Sequence, residues 1–137
     1  MSETKHQRTR DDHATEVAED YVEAIADLAD ARGACRATDL AQHFAVTQAT
    51  VSNTVSRLKR DGLVMTEPYQ PIFLTPAGQR LATKSRRRHQ IVEQFLRKLG
   101  VSEKSAAVDS EGIEHHVGKE TLAAMKAVLE SGWPKEQ

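Results

Sequence analysis

Several features common in folded domains are scarce in this sequence of 137 residues, and each scarcity narrows the fold class. The single cysteine, Cys35, rules out a disulfide framework and argues against a cysteine-based zinc site. Aromatic residues make up only 4%, which favours a helical core of Leu, Val and Ala over a β-sandwich. No apolar run approaches the roughly 18 residues of a membrane span, and the N-terminal segment lacks the apolar stretch of a secretory signal. We therefore expect a cytoplasmic protein without a membrane partner.

The net charge of −1 conceals an uneven distribution of charge along the chain. Residues 36–98 contain 11 Lys and Arg against 4 Asp and Glu, which gives this middle segment a charge of +7. The flanking segments contain 8 basic and 16 acidic residues, a charge of −8. A basic segment is typical of a surface that binds a polyanion, and acidic flanks can bind cations. Scatter of these charges over solvated helix faces is the alternative interpretation.

Apolar spacing and helix stop signals predict a mainly α-helical chain that contains one small hairpin. Gly33, Gly62 and Gly100 follow apolar segments of helical period, and Thr75-Pro76 is typical of a helix start. Two short β-prone runs flank a segment that contains two prolines. The predicted elements are a disordered polar arm over 1–16, helices from 17 to the stop at 33, over 38–44 and over 48–61, a hairpin over 63–74, a long helix over 76–99, and short helices over 103–108, 109–117 and 119–131.

Two short helices joined by a three-residue turn, with a hairpin directly after the second, have the order of a winged helix-turn-helix domain. In that fold the second helix enters the major groove of double-stranded DNA. Apolar spacing predicts that Val51, Val55 and Leu58 are buried, which leaves small, hydrogen-bonding and cationic residues exposed. Gln and Asn can pair with adenine, whereas Arg and Lys suit phosphates here. The predicted DNA-binding residues are Thr47, Gln48, Ala49, Thr50, Ser52, Asn53, Arg57, Lys59 and Arg60. A structural helix pair inside a bundle is the alternative.

Carboxylates and imidazoles recur at helical spacing in three predicted helices. Glu111, Glu114 and His115 lie three and four positions apart and share a helix face. Asp20 and Glu23 share a face of the first helix, and His89 lies in the long helix after an arginine run. Oxygen-rich ligation with some imidazole suits Mn²⁺ or Fe²⁺, and four carboxylates could hold two divalent ions. The alternative is that these residues form only a solvated face.

Together these motifs resemble the manganese branch of the diphtheria-toxin-repressor (iron-dependent repressor) family of bacterial metal-dependent repressors. The resemblance spans about residues 18–129, and the gaps between the motifs agree. It is carried by residues 50–55 and 60–64 in and after the second helix of the pair, 74–78 after the hairpin, 88–96 in the long helix, and 111–116.

The resemblance implies the ligand set and the domain organisation. The implied ligands are Asp20, Glu23, His89, Glu111, Glu114 and His115, which would hold one or two Mn²⁺ ions per subunit, with Fe²⁺ possible. The iron branch has Met in place of Asp20 and Cys in place of Glu111, and replacing soft sulfur by hard carboxylate agrees with manganese. The implied domains are a winged helix-turn-helix domain over 17–78 and an all-helical dimerisation and metal-binding domain over 79–137, whose metal site also uses the first helix.

The leading functional hypothesis is a manganese-responsive repressor that binds palindromic operators of manganese-uptake genes as a metal-loaded homodimer. We expect no catalytic residues and no small-molecule substrate. Three alternatives remain open: an iron-responsive repressor of the same family, a small two-metal hydrolase, and a winged-helix regulator of an organic ligand. A hydrolase would need an open coordination position and a substrate pocket, and the sequence shows no candidate nucleophile.

Overall fold

The computed structural model describes the backbone of residues 5–136 and the side chains of residues 13–136. This part of the chain is mainly α-helical, as the sequence predicts, and carries one two-stranded antiparallel sheet. Its elements are α1 (Lys5–Arg32), α2 (Ala37–Phe44), α3 (Gln48–Arg60), β1 (Val64–Met65), β2 (Phe73–Leu74), α4 (Pro76–Lys98), α5 (Glu103–Ile113), a 3-10 turn (Glu114–His116) and α6 (Lys119–Ser131). Among the described helices, none combines the length and the apolar character needed to cross a membrane.

The chain divides into two compact units, with the boundary between Thr83 and Lys84 inside α4. The boundary predicted from the sequence, between residues 78 and 79, lies in the same helix. Each unit is described by itself below.

The first unit packs one apolar core between α1, α2, α3 and the hairpin. Ring stacking joins Tyr21 of α1 to Phe44 of α2, with centroids 4.5 Å apart and an interplanar angle of 16°. The buried members are Tyr21, Ala24, Ile25, Cys35, Leu40, Val51, Val55, Leu58, Val64 and Ile72. Because α3 contributes three of its residues to this core, the orientation of its opposite face toward solvent is fixed by packing.

The hairpin of residues 64–74, here called the wing, is joined to the rest of the first unit at its base. Val64 pairs with Leu74 and Met65 with Phe73, and a separate bridge joins Ile72 to Cys35, with the Ile72 amide donating to the Cys35 carbonyl at 2.8 Å. The Ile72–Cys35 bridge connects the second half of the wing to the segment before α2. The base of the wing is therefore attached to the rest of the first unit at this point.

Thr75 closes the wing and begins α4. Its hydroxyl donates to the Gly62 carbonyl at 2.6 Å and accepts from the Gly78 amide at 3.1 Å. Its amide donates to the Leu63 carbonyl at 3.0 Å. Gly78 lies so close to the Leu63 carbonyl that a Cβ at this position would overlap it. The Thr-Pro helix start expected from the sequence is therefore present, and a glycine is needed one turn later.

The second unit consists of the rest of α4, α5, the 3-10 turn and α6. Ser102 caps α5 by accepting a hydrogen bond from the Ser105 amide at 3.2 Å. Phe95 contacts Trp133 edge to face, with centroids 5.8 Å apart. The buried residues of this unit are Ser85, Val92, Ala106, Ser110, Glu114 and Val128.

The sequence predictions of secondary structure were wrong at the start of α1 and in the region of α5. The backbone is helical from Lys5, so residues 5–16 continue α1 where the sequence predicted a disordered arm; residues 1–4 lie outside the described residues. No Gly or Pro interrupts residues 5–32, and so no helix breaker marks a start at Val17. The predicted break between residues 108 and 109 is also absent, since α5 runs from Glu103 to Ile113 without a breaker before Gly112.

Candidate functional site

The outer face of α3 carries the side chains that the sequence assigned to DNA. Val51, Val55 and Leu58 are buried, as expected from their spacing. The predicted set is exposed in every case: Thr47, Gln48, Ala49, Thr50, Ser52, Asn53, Arg57, Lys59 and Arg60. The first half of this surface is small and polar, and the cations lie in the last turn of the helix. That arrangement suits base edges near the helix start and phosphates near its end.

Two residues of this set also make hydrogen bonds that stabilise the fold. The Thr47 hydroxyl caps α3 by accepting from the Thr50 amide at 3.1 Å, and the two hydroxyls lie 3.0 Å apart. Lys59 donates its ammonium to the Thr66 carbonyl at 3.1 Å, which joins the end of α3 to the wing. The Lys59 charge is not neutralised by a carbonyl, and it still contributes to the positive potential around α3.

The second unit brings three of the predicted metal ligands together. His89 Nδ1 lies 3.4 Å from Glu114 Oε1, and His115 Nε2 lies 3.7 Å from the same oxygen. The side chains of Glu114 and His115 are each only 2% exposed, whereas that of His89 is 21% exposed. Two imidazoles from different elements thus converge on one buried carboxylate.

The remaining predicted ligands are placed differently. Glu111 lies in α5 and is exposed, whereas Glu114 and His115 belong to the 3-10 turn that follows α5. The prediction that all three occupy one α-helix was wrong for this reason. Asp20 and Glu23 are half-buried in α1, in the first unit. The ligand role of these three residues remains a prediction, as does that of His89, Glu114 and His115.

Glu93 belongs to this cluster although the sequence reasoning did not select it. Its Oε2 lies 3.3 Å from His89 Nε2, the nitrogen on the opposite side of the ring from Glu114. The signal available in the sequence was the spacing of four residues along one helix. A carboxylate on the second nitrogen of a metal-binding histidine fixes ring orientation and raises ligand basicity.

The donor chemistry of this cluster fits a divalent metal ion. Burial of a carboxylate is costly unless cationic or hydrogen-bonding groups compensate for the lost water, and a metal ion supplies such compensation. The donors are carboxylate oxygen and imidazole nitrogen, which suit Mn²⁺ or Fe²⁺ better than thiophilic metals. His89, Glu114 and His115 would hold the ion in the second unit.

No sulfur donor takes part in this cluster. Cys35 is fully buried in the core of the first unit, as expected for a small packing residue. Burial, reinforced by the Asp39 carboxylate, raises the pKa of the Cys35 thiol from 9.0 to about 11. A neutral thiol is a poor metal ligand, since it is the thiolate that binds.

Comparison with known protein families identifies both units. Residues 13–72 match the family model described as iron dependent repressor, N-terminal DNA binding domain. Residues 75–132 match the model described as iron dependent repressor, metal binding and dimerisation domain. The chain belongs to the iron-dependent repressor family.

Individual relatives agree with the family models. The chain is 47% identical over 120 residues to the transcriptional regulator MntR of Salmonella typhimurium, covering 88% of this chain and 76% of the relative. It is 39% identical over 99 residues to the regulator MntR of Geobacillus kaustophilus, covering 72% of this chain and 70% of the relative.

Solved structures show the same fold. One is a manganese-dependent transcriptional repressor in complex with manganese, with a TM-score of 0.75 and 29% identity over 82% of this chain. Another is the manganese regulator SloR, with a TM-score of 0.72 and 26% identity over 82% of this chain. The chain spans about half the length of these two solved chains, 52% and 53%.

These findings confirm the resemblance and the fold class predicted from the sequence. The family models assign DNA binding to the first part of the chain, and metal binding and dimerisation to the second. The curated relatives are transcriptional regulators and not enzymes, so the hydrolase alternative is set aside.

Proposed function

We propose that this protein is a manganese-responsive transcriptional repressor. Loaded with Mn²⁺, a homodimer binds palindromic operators of manganese-uptake genes in the cytoplasm and blocks their transcription. When manganese is scarce, the protein loses its metal and leaves the operator.

The buried Glu114 carboxylate between His89 and His115 is the observation that carries this proposal. It lies in the part of the chain that matches the metal binding and dimerisation model. Its donors are hard oxygen and borderline nitrogen, and the one thiol of the chain is buried in the other unit. This set favours Mn²⁺ over thiophilic metals by ligand type. The two solved structures described as manganese-dependent or manganese regulators support the same assignment.

The surface of α3 supplies the DNA-binding side of the proposal. One short helix offers too few base contacts for specificity within a genome, and so two copies on half-sites about one helical turn apart are expected. The palindromic operator follows from the two-fold symmetry of such a dimer.

The decisive experiment is an anaerobic titration of operator binding with Mn²⁺, Fe²⁺ and Zn²⁺ at fixed free-ion concentrations. Wild type should bind operator DNA only with metal, and Mn²⁺ should be effective at concentrations available in a cell. Glu114→Ala should abolish the metal response while the helical content is retained, because it removes the carboxylate that both imidazoles face.

Asp109→Ala is the matched control, since Asp109 is an exposed carboxylate on the preceding helix. It should keep the wild-type response. The same titration with Glu111→Ala, Asp20→Ala and Glu23→Ala tests the ligands assigned from the sequence. A Glu114→Ala variant with full Mn²⁺ response would contradict the proposed site, and metal-independent operator binding by wild type would contradict the proposed function.

A further inference from the structure

The ring of His89 lies between two carboxylates that come from different elements. Its Nδ1 is 3.4 Å from Glu114 Oε1, and its Nε2 is 3.3 Å from Glu93 Oε2. Glu114 belongs to the 3-10 turn, whereas Glu93 follows His89 by four residues in α4. Residues at this spacing share a helix face, and helical side chains tilt toward the N-terminus, so Glu93 reaches back to the ring. Each ring nitrogen therefore faces its own carboxylate.

The two sides of the ring differ in their surroundings. On the Nδ1 side, the Glu114 side chain is 2% exposed and also lies 3.7 Å from His115 Nε2, so donors from two elements converge there. On the Nε2 side, the contact is made within one helix, and the Glu93 side chain is 28% exposed. A metal site needs several converging donors. The nitrogen that can join such a group of donors is therefore Nδ1, and Nε2 is left for Glu93.

The proton of a neutral imidazole decides which of its two nitrogens can bind a metal ion. One nitrogen carries the proton and the other presents a lone pair, and the hydrogen bond made by the first fixes the choice. Because an ionised carboxylate only accepts hydrogen bonds, Glu93 favours the proton on Nε2 of His89. The lone pair is then kept on Nδ1, the nitrogen that faces Glu114.

Glu93 also selects one of two orientations of the His89 ring. The χ2 torsion of histidine is roughly two-fold, and a half-turn about it would exchange Nδ1 with Cδ2 and Nε2 with Cε1. The flipped ring would present carbon atoms to both carboxylates, whereas the observed orientation gives each of them a nitrogen. The acceptor at Nε2 therefore stabilises the orientation that points a donor nitrogen at Glu114.

We propose that Glu93 is a positioning residue of the metal site. It is not itself a ligand: it accepts the Nε2–H of His89, holds the ring with Nδ1 toward Glu114, and thereby raises the affinity for metal. This inference rests on the proposed function, since it takes Mn²⁺ as the ion. The alternative is that the pair only stabilises α4, as other pairs at this spacing do.

Mn²⁺ titrations followed by electron paramagnetic resonance measure both the affinity and the number of ions bound per subunit. Glu93→Ala should weaken Mn²⁺ binding about tenfold, the low end of the range for loss of a group that orients a ligand. The number of ions at saturation should stay that of wild type, because no ligand is lost. Glu93→Gln should retain most of the affinity, since its side-chain carbonyl accepts the same hydrogen bond. Asp109→Ala removes an exposed carboxylate from α5 and should match wild type.

Nitrogen-15 NMR with Cd²⁺, a diamagnetic ion similar in size to Mn²⁺, gives a readout that helix stability alone would not change. In wild type, the metal should be on Nδ1 of His89 and a slowly exchanging proton on Nε2. Glu93→Gln should keep that proton, and in Glu93→Ala it should exchange with water too fast to be observed. The positions of metal and proton in wild type and Glu93→Gln decide the question even if Glu93→Ala loses helical content.

Three results would overturn the inference: wild-type Mn²⁺ affinity in Glu93→Ala, fewer ions bound to this variant at saturation, or the metal on Nε2 of His89. The second and third would make Glu93 a ligand. None of the three contradicts the proposed function, which depends on the loss of metal response in Glu114→Ala. A wild-type protein that binds no Mn²⁺ would overturn both.

Discussion

Cys35 lies where the connection between α1 and α2 meets the wing. Its carbonyl accepts the Ile72 amide and its side chain is fully buried. Burial, with the nearby Asp39 carboxylate, raises the pKa of the thiol to about 11. The thiolate is the reactive form of cysteine, so this residue is expected to resist oxidation and alkylation in the folded protein.

The raised pKa of Cys35 predicts a loss of stability at high pH. Between pH 9 and pH 11 the unfolded chain releases the thiol proton while the folded chain keeps it, so the free energy of unfolding falls as pH rises. Below pH 9 both states hold the proton and this contribution is fully present. Urea unfolding at pH 8 and pH 10.5 should show a larger loss for wild type than for Cys35→Ala. Equal losses in the two proteins would contradict the prediction.

Glu93 shows why part of the candidate metal site could not be predicted at the level of residues. The spacing of His89 and Glu93 along α4 permits a contact between them. It does not show which nitrogen of the His89 ring faces Glu93, because Glu114, from a different element, lies at the other nitrogen.

The boundaries of the DNA-binding elements could be predicted because local signals agree with the packing. Helices α2 and α3 begin within one residue of their predicted starts, and Thr47 caps α3 as expected. Errors occurred where local signals were weak. The start of α1 carries no breaker, and α5 continues through Asp109, which resembles a helix cap but lies on the exposed face.

The close packing at the junction between the wing and α4 predicts that substitution by alanine changes stability in opposite directions at Gly78 and at Gly112. Gly78→Ala should lower the free energy of unfolding by about 1 to 3 kcal/mol, because the new Cβ would overlap the Leu63 carbonyl and force the backbone to shift. This carbonyl also accepts the Thr75 amide, so the start of α4 would be disturbed with it. Chemical denaturation followed by circular dichroism measures the effect.

Gly112→Ala is the control for the same change in a helix. A Cβ at Gly112 meets no atom within 4 Å, and alanine has the higher helix propensity, so stability should rise by up to about 1 kcal/mol. If both substitutions change stability equally, the close approach at Gly78 is not what determines the effect.

At the scale of the whole molecule, the second unit exposes several large apolar side chains. Leu99 is 55% exposed, Val108 64% and Trp133 54%. They lie in or directly beside the part of the chain that matches the dimerisation model. Covering such residues against a second copy is the ordinary way in which a homodimer gains stability.

We therefore expect Val108→Asp to weaken dimerisation, because it would place a charge in an apolar interface. Analytical ultracentrifugation should show a larger monomer fraction than for wild type. Val46→Asp, an exposed apolar position in the first unit, should leave the monomer fraction unchanged. A Val108→Asp variant that remains as dimeric as wild type would place Val108 outside the interface.

The hydrogen bonds from Lys59 and Arg36 to the wing also predict which segment must be exchanged to transfer operator preference from one relative to another. Grafting residues 47–60 alone would carry the proposed base-reading surface and Lys59 into a new scaffold. It would leave behind Arg36 and the two wing carbonyls that Arg36 and Lys59 bind. In the new scaffold, α3 would then lack the wing whose position these hydrogen bonds fix. The smallest segment that keeps these contacts together with the whole wing is residues 32–74, and we expect exchange of operator specificity to require that segment as one block.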